Sequence, residues 1–284
     1  MAGFTSIGGI VDALVAGQST YATWRKTPSQ ATTAGQWTDL SMSPGNPIPN
    51  YYASTPLLAA RLNGGEGLFH GGNVSPQTKH LQRLTALTVT AAATPLQLTL
   101  CDYLLYYPFI DMGETAEQLL DNTVTLPRYE TGEGVRAIAV EVAAQTGGQR
   151  FYITYTNQSG VSGRVSPTVV CNSNPSSGTL IQTATATNGG SGPYIPLQTG
   201  DTGIRSIQSL TMLGADVGLI TLVLVRPLAS MMIRGIDAPV EVDFVKDRPS
   251  LPRIIDGAYL NFIAMPNGTL AAAPIHGDIT CVFN

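Results

Sequence analysis

From residue 84 to its end the chain repeats one pattern: a short run of apolar, aromatic and Thr residues, then a cluster of Gly, Pro, Asn or Ser. Such runs occupy residues 85–90, 96–107 (LQLTLCDYLLYY), 135–146 (VRAIAVEVAAQT), 151–156 (FYITYT), 164–171 and 179–187. They continue at 204–213, 219–225, 229–233, 240–245, 258–265 and 279–283. Apolar and β-branched residues of this length between turn formers read as strands. About ten strands at this spacing predict a β-sandwich or barrel. The expected fold class is therefore mainly β, a jelly roll or a related two-sheet β-sandwich. Gly147-Gly148-Gln149 reads as the turn of a hairpin joining runs 135–146 and 151–156, and Asn157-Gln158-Ser159-Gly160 as the next turn. Residues 113–122 read as a short acidic helix.

The first 80 residues look different. Phe4, Ile7, Ile10, Val11 and Leu14 recur at helical spacing, which predicts one short helix over 5–17 with Thr5 or Ser6 as its cap and Gly17 as its stop. Gly8 and Gly9 weaken it by about 1 kcal/mol each relative to Ala, so it needs a surface to dock on. That surface is either its own domain or a partner. Six prolines between Pro28 and Pro76 then interrupt any regular pattern. We expect an N-terminal helix and extended arm over 1–80 and a β-sandwich domain over 81–284. The arm would drape over its own subunit or a neighbour, with Trp24, Trp37, Tyr51-Tyr52 and Phe69 as anchors. The candidate partner interface is Phe4, Ile7, Ile10, Val11, Leu14, Trp24 and Trp37.

Charge is sparse. Only 12% of the 284 residues are Asp, Glu, Lys or Arg, and between Phe151 and Gly200 the single charge is Arg164. An ordinary soluble domain carries roughly 25%. Part of the deficit is made up by 32 Thr, which solvate pleated surface without charge. Strand edges without Lys or Glu are also unprotected against association, so the composition favours a chain covered by neighbours. A net charge of −4 and the lack of any basic run argue against nucleic acid. No apolar stretch approaches the roughly 20 residues of a spanning helix, so no membrane partner is expected. The N-terminus lacks the pattern of a secretory signal. The three cysteines, Cys101, Cys171 and Cys281, are far apart in apolar runs and read as buried free thiols in a reducing cytoplasm.

The catalytic and cofactor motifs with known spacing are not found. Gly189-Gly190-Ser191-Gly192 lacks the Lys and the helix of a phosphate loop. His70, His80 and His276 are widely spaced and read as structural. Residues 236–256 hold the one charge-dense segment, with Asp237, Glu241, Asp243, Asp247 and Asp256 among Lys246, Arg248 and Arg253. Paired carboxylates suit glycoside hydrolysis or a cation, but the interleaved basic residues point to ion pairs. No catalytic residue, metal ligand or cofactor is assigned.

Residues 101–111 (CDYLLYYPFID), 155–164 (YTNQSGVSGR) and 235–243 (GIDAPVEVD) resemble a family of tailed-bacteriophage virion proteins. The opening Gly3-Phe4-Thr5-Ser6-Ile7 and the segment 31–40 are similar too. The resemblance implies a structural component of the virion, made in the host cytoplasm. Within that class, a capsid decoration or cement protein suits the size. Its partners would be the major capsid protein and further copies of itself, the lattice suggesting a trimer. The alternatives are a tail-tube or connector component, or a glycan- or receptor-binding jelly roll with Tyr106-Tyr107 as its platform.

Overall fold

The computed structural model describes residues 3–29, 31–172, 177–180, 182–185, 192–248 and 250–284. The end of the 179–187 run and Gly189-Gly190-Ser191 lie outside the described residues.

One α-helix, α1 (Ile7–Val15), precedes eighteen strands among the described residues. The first are β1 (Ser19–Lys26), β2 (Thr38–Asp39), β3 (Gly45–Asn46), β4 (Ala60–Arg61), β5 (Lys79–Thr88) and β6 (Leu96–Asp111). Then come β7 (Gln118–Leu119), β8 (Arg136–Ala143), β9 (Arg150–Asn157), β10 (Arg164–Val165), β11 (Val169–Cys171) and β12 (Gln182–Thr185). The last are β13 (Ile204–Met212), β14 (Leu219–Ile233), β15 (Val240–Asp243), β16 (Arg253–Ile254), β17 (Leu260–Pro266) and β18 (Ile275–Phe283). They form three antiparallel sheets of six strands each. The first runs β15-β5-β18-β1-β3 with β16 also on β5; the second runs β12-β11-β9-β13-β7 with β10 on β9; the central one runs β2-β17-β6-β14-β8 with β4 on β6. The chain is thus mainly β and layered as a sandwich, as its strand pattern implies.

The central sheet organises the rest. Its two longest strands, β6 and β14, pair along their whole length, with Leu98 opposite Met231 and Leu105 opposite Leu224. On one face Leu96, Leu98, Leu100, Met231, Ile233 and Phe262 pack against Trp24, Leu84 and Ile279 of the first sheet. Further along the same face Leu105, Tyr107, Leu222 and Leu224 pack against Phe151, Ile153 and Leu210 of the second sheet. Both outer sheets therefore lie side by side on one face. The reverse face carries Cys101, Tyr103, Tyr106, Val223 and Val225, covered by Tyr52, Leu62, Trp37 and Met42. Sequence patterning implied two sheets; a third is required because strands this long offer more apolar surface than one partner sheet covers.

Several local expectations change. The stretch 19–80 is not an arm apart from the domain: β1 lies between β18 and β3, while β2 and β4 join the central sheet. Residues 113–122 form a turn and β7 instead of a helix. Gly147-Gly148-Gln149 does not close a hairpin, because β8 pairs with β14 and β9 pairs with β13 and β11. It is a corner between two sheets, with Gly147 and Gly148 at φ +83° and +81°. The predicted turn at Asn157 does form, where its Oδ1 accepts from the N–H groups of Ser159 and Val161. The two runs 219–225 and 229–233 are one strand, and all three cysteines are buried and free.

Trp24 is a core residue, only 2% exposed, with its ring centroid 4.2 Å from that of Phe262. Replacing it with Ala removes the largest side chain between the first and central sheets. The expected loss is about 3–5 kcal/mol of unfolding free energy, readable as a lower urea midpoint.

Candidate interaction surfaces

The helix α1 begins where Ser6 Oγ accepts from the Gly9 N–H at 3.1 Å, and ends where Gly17 takes φ +75°. Ile10 and Ala13 are buried against Val282 of β18, with Phe4 and Leu14 packed half-buried beside them. The adjoining, solvent-facing side carries Ile7, Val11 and Val15, exposed by 66%, 51% and 84%. These three are spaced i, i+4 and i+8, one above the other on a helix surface. Of the seven residues expected at an interface, only Ile7 and Val11 present themselves outward. Trp24 is in the core, Ile10 is buried, and Trp37 is half-buried against the reverse face of the central sheet. Val15 completes the stripe and was legible from its four-residue spacing to Val11.

The acidic segment disperses. Glu241 lies 3.6 Å from Arg83, which also pairs with Asp278 at 3.3 Å. Asp243 Oδ1 accepts from the N–H groups of Val245 and Lys246, and Asp247 Oδ2 accepts from the Asp243 N–H. Asp256 accepts from the N–H groups of Val74 and Ser75. These carboxylates therefore hold loops and one ion pair. Among the described residues no group of three or more His, Cys, Asp or Glu side chains is placed to hold a metal ion. His70 is buried with Nε2 3.2 Å from the Ala258 carbonyl oxygen, and burial together with the charge of Lys79 lowers its pKa to about 4. His80 lies against Phe4, ring centroids 5.8 Å apart, with Nδ1 3.3 Å from the Leu251 carbonyl oxygen. Tyr106 and Tyr107 cannot serve as a platform. Both are buried, and the Tyr107 hydroxyl donates to Asn122 Oδ1 at 2.7 Å and accepts from the Ile207 N–H at 3.0 Å.

Two buried acidic centres are structural. Asp39 receives the Ser41 N–H at 3.0 Å, the Ser41 hydroxyl, the Tyr52 hydroxyl at 2.6 Å and the Tyr103 hydroxyl at 2.7 Å. Burial raises its pKa and these donors oppose the rise. Nearby Lys26 donates to the Ser43 carbonyl at 3.0 Å, and burial lowers its pKa to about 8 against the pull of Asp39. Asp102 is held by Arg128 through two bonds of 2.9 and 2.6 Å and by the Tyr259 N–H at 3.0 Å. Burial still outweighs the guanidinium and holds its carboxyl at about 6.

Glu141 on β8 is a third buried carboxyl, with no ion pair among the described residues. Burial pushes its pKa to about 8, Asp216 adds to the rise, and the Gln145 amide opposes it. A folded-state pKa above the unfolded value of 4.5 means that the fold prefers the neutral acid. Its effect on stability is nil below pH 4.5, grows unfavourable as pH rises to about 8, and is constant above. Glu141→Gln is therefore expected to raise the melting temperature at pH 8 and to match the parent near pH 4.5. Thermal melts across that range check it; a gap that does not change with pH overturns the assignment.

No family model matches this chain. No curated protein matches it either. Among solved structures, a chain described as "Structure of infectious bursal disease virus Gt strain" aligns over 94% of this chain and 81% of its own, at 7% identity and a TM-score of 0.16. A likeness at that level carries no argument about fold or function.

Proposed function

We propose that this chain is a structural virion protein that binds and stabilises a capsid, in the manner of a cement or decoration protein, as a homo-oligomer alongside the major capsid protein. The observation that carries this reading is the double-faced helix α1. Its inner side is anchored on Val282, while Ile7, Val11 and Val15 stand in solvent on a chain where charge is scarce. An apolar stripe held rigidly outward suits a permanent contact better than a solitary monomer. Tyr21, exposed on β1, and Phe69 add apolar surface that a neighbouring subunit would cover. The resemblance of residues 101–111, 155–164 and 235–243 to phage virion proteins supplies the class of partner. A cement protein works through area repeated over a lattice, where modest contacts multiply by avidity. It needs a stiff body and an adhesive edge, and the stacked sheets and α1 match those two parts.

Copy number in purified virions, measured by quantitative mass spectrometry against the major capsid protein, tests the reading. Hundreds of copies in a simple ratio to capsid subunits are expected. A few tens would place the chain at the tail or portal, and absence would discard the virion assignment. The double substitution Ile7→Ser/Val11→Ser tests the helix itself. Both positions are exposed, so each is expected to change folding stability by no more than about 0.5 kcal/mol. Binding to chain-free capsid shells is expected to weaken at least about tenfold; unchanged binding removes α1 from the interface.

A further inference from the structure

A cleft of about 740 Å³ is lined by Arg61, Thr125, Glu130, Thr156, Arg205 and Ser206. That volume falls within the range of small-molecule sites, roughly 300–1,000 Å³. The cleft belongs neither to α1 nor to the acidic segment. It forms where β4, the chain after β7, and strands β9 and β13 meet. Its members are scattered over almost 150 positions with no motif spacing.

Its chemistry is donor-rich. Arg61 is oriented by the Thr125 carbonyl at 2.9 Å and the Thr125 hydroxyl at 3.1 Å. Arg205 is oriented by the carbonyls of Thr131 at 3.0 Å and Gln158 at 2.8 Å. Those partners are neutral, and neither arginine is in an ion pair among the described residues. Both guanidiniums are thus pre-positioned yet keep their full charge and several unused N–H donors. Across the cleft, Thr156 Oγ1 and Ser206 Oγ each accept from Gln208 Nε2 at 2.9 Å. A hydroxyl that accepts from an amide keeps its own proton, so both are free to donate. Glu130 is the one carboxylate in the lining and is exposed, available to accept from ligand hydroxyls. Val124, Leu126 and Pro127 supply an apolar wall.

We propose that this cleft binds a carboxylate-bearing saccharide. The guanidiniums and the two hydroxyls take the carboxylate and ring oxygens, Glu130 takes sugar hydroxyls, and the apolar wall takes the C–H face of the ring. Glu130 in the lining repels a polyanion such as nucleic acid, whose charge repeats along its length. The inference is independent of the capsid reading, because the cleft does not involve the α1 stripe.

Isothermal titration of the full chain with digalacturonate and with sialyllactose tests it, with the neutral disaccharide galactobiose and an acidic tetrapeptide as controls. Saturable binding of at least one acidic sugar is expected, at least tenfold tighter than galactobiose. Arg61→Ala is expected to weaken it at least tenfold while lowering the melting temperature only slightly, since Arg61 is exposed and its two bonds to Thr125 lie at the surface. Arg205→Ala is expected to weaken binding as well, with some loss of melting temperature. Because Arg205 also secures two backbone carbonyls, Glu130→Gln provides a second reading at an exposed position. It is expected to lower affinity for the sugar without altering the fold. No saturable binding of either acidic sugar overturns the proposal, as does binding that survives Arg61→Ala or tighter binding of the tetrapeptide.

Discussion

A carboxylate cannot sit between two hydrophobic cores unless its charge is met, and this fold is built around one that does. Asp102 lies on the packed face of β6, between the leucines that meet the first sheet and those that meet the second. Arg128 grips both of its oxygens and also reaches the Tyr103 carbonyl at 3.0 Å. The Tyr259 N–H, just before β17, adds a further bond to Asp102. The side chains are 0% and 6% exposed, so loss of either partner strands a buried charge. The pair does more than neutralise. It marks where one outer sheet ends and the other begins, and it fixes the segment that continues from Arg128 to Glu130 at the rim of the Arg61–Arg205 cleft.

The second constraint works on the other face. Residues 37–62 run without long strands across the reverse of the central sheet, and such a segment could slide. Asp39 prevents that by collecting hydroxyl and amide donors from its own segment and from Tyr103 of β6. The stretch that looks unstructured in sequence is therefore pinned by hydrogen bonds to a buried acid, with Trp37, Met42 and Leu62 filling the space around it. Polar ties substitute here for a regular ladder.

Two contrasting features stand out on the surface of the described residues. One is an apolar stripe on a short helix whose other side is anchored. The other is a polar cleft whose arginines are aimed by carbonyls and, among the described residues, not paired with carboxylates. The first suits a lasting contact with protein and the second a reversible contact with a small anion. They lie on different elements, so one does not obstruct the other.

Strand-forming runs, the turn at Asn157, the cap at Ser6 and the stop at Gly17 were all readable in the sequence, because each depends on residues near in the chain. Period-two alternation, a side-chain oxygen meeting an amide three residues away, and a glycine at positive φ need no tertiary partner to be recognised. What was not readable depends on which strand pairs with which. The glycines at 147–148 look the same at a hairpin as at a corner between sheets, and only the pairing of β8 with β14 decides. Trp24 alternates on β1 as it would on any amphipathic strand, and only the position of β1 beside β18 makes it core. The Arg61–Arg205 cleft joins residues with no local relation at all. Local chemistry determined the elements of this protein; long-range burial, which rewards contacts without regard to sequence separation, decided the sheets, the core and the sites.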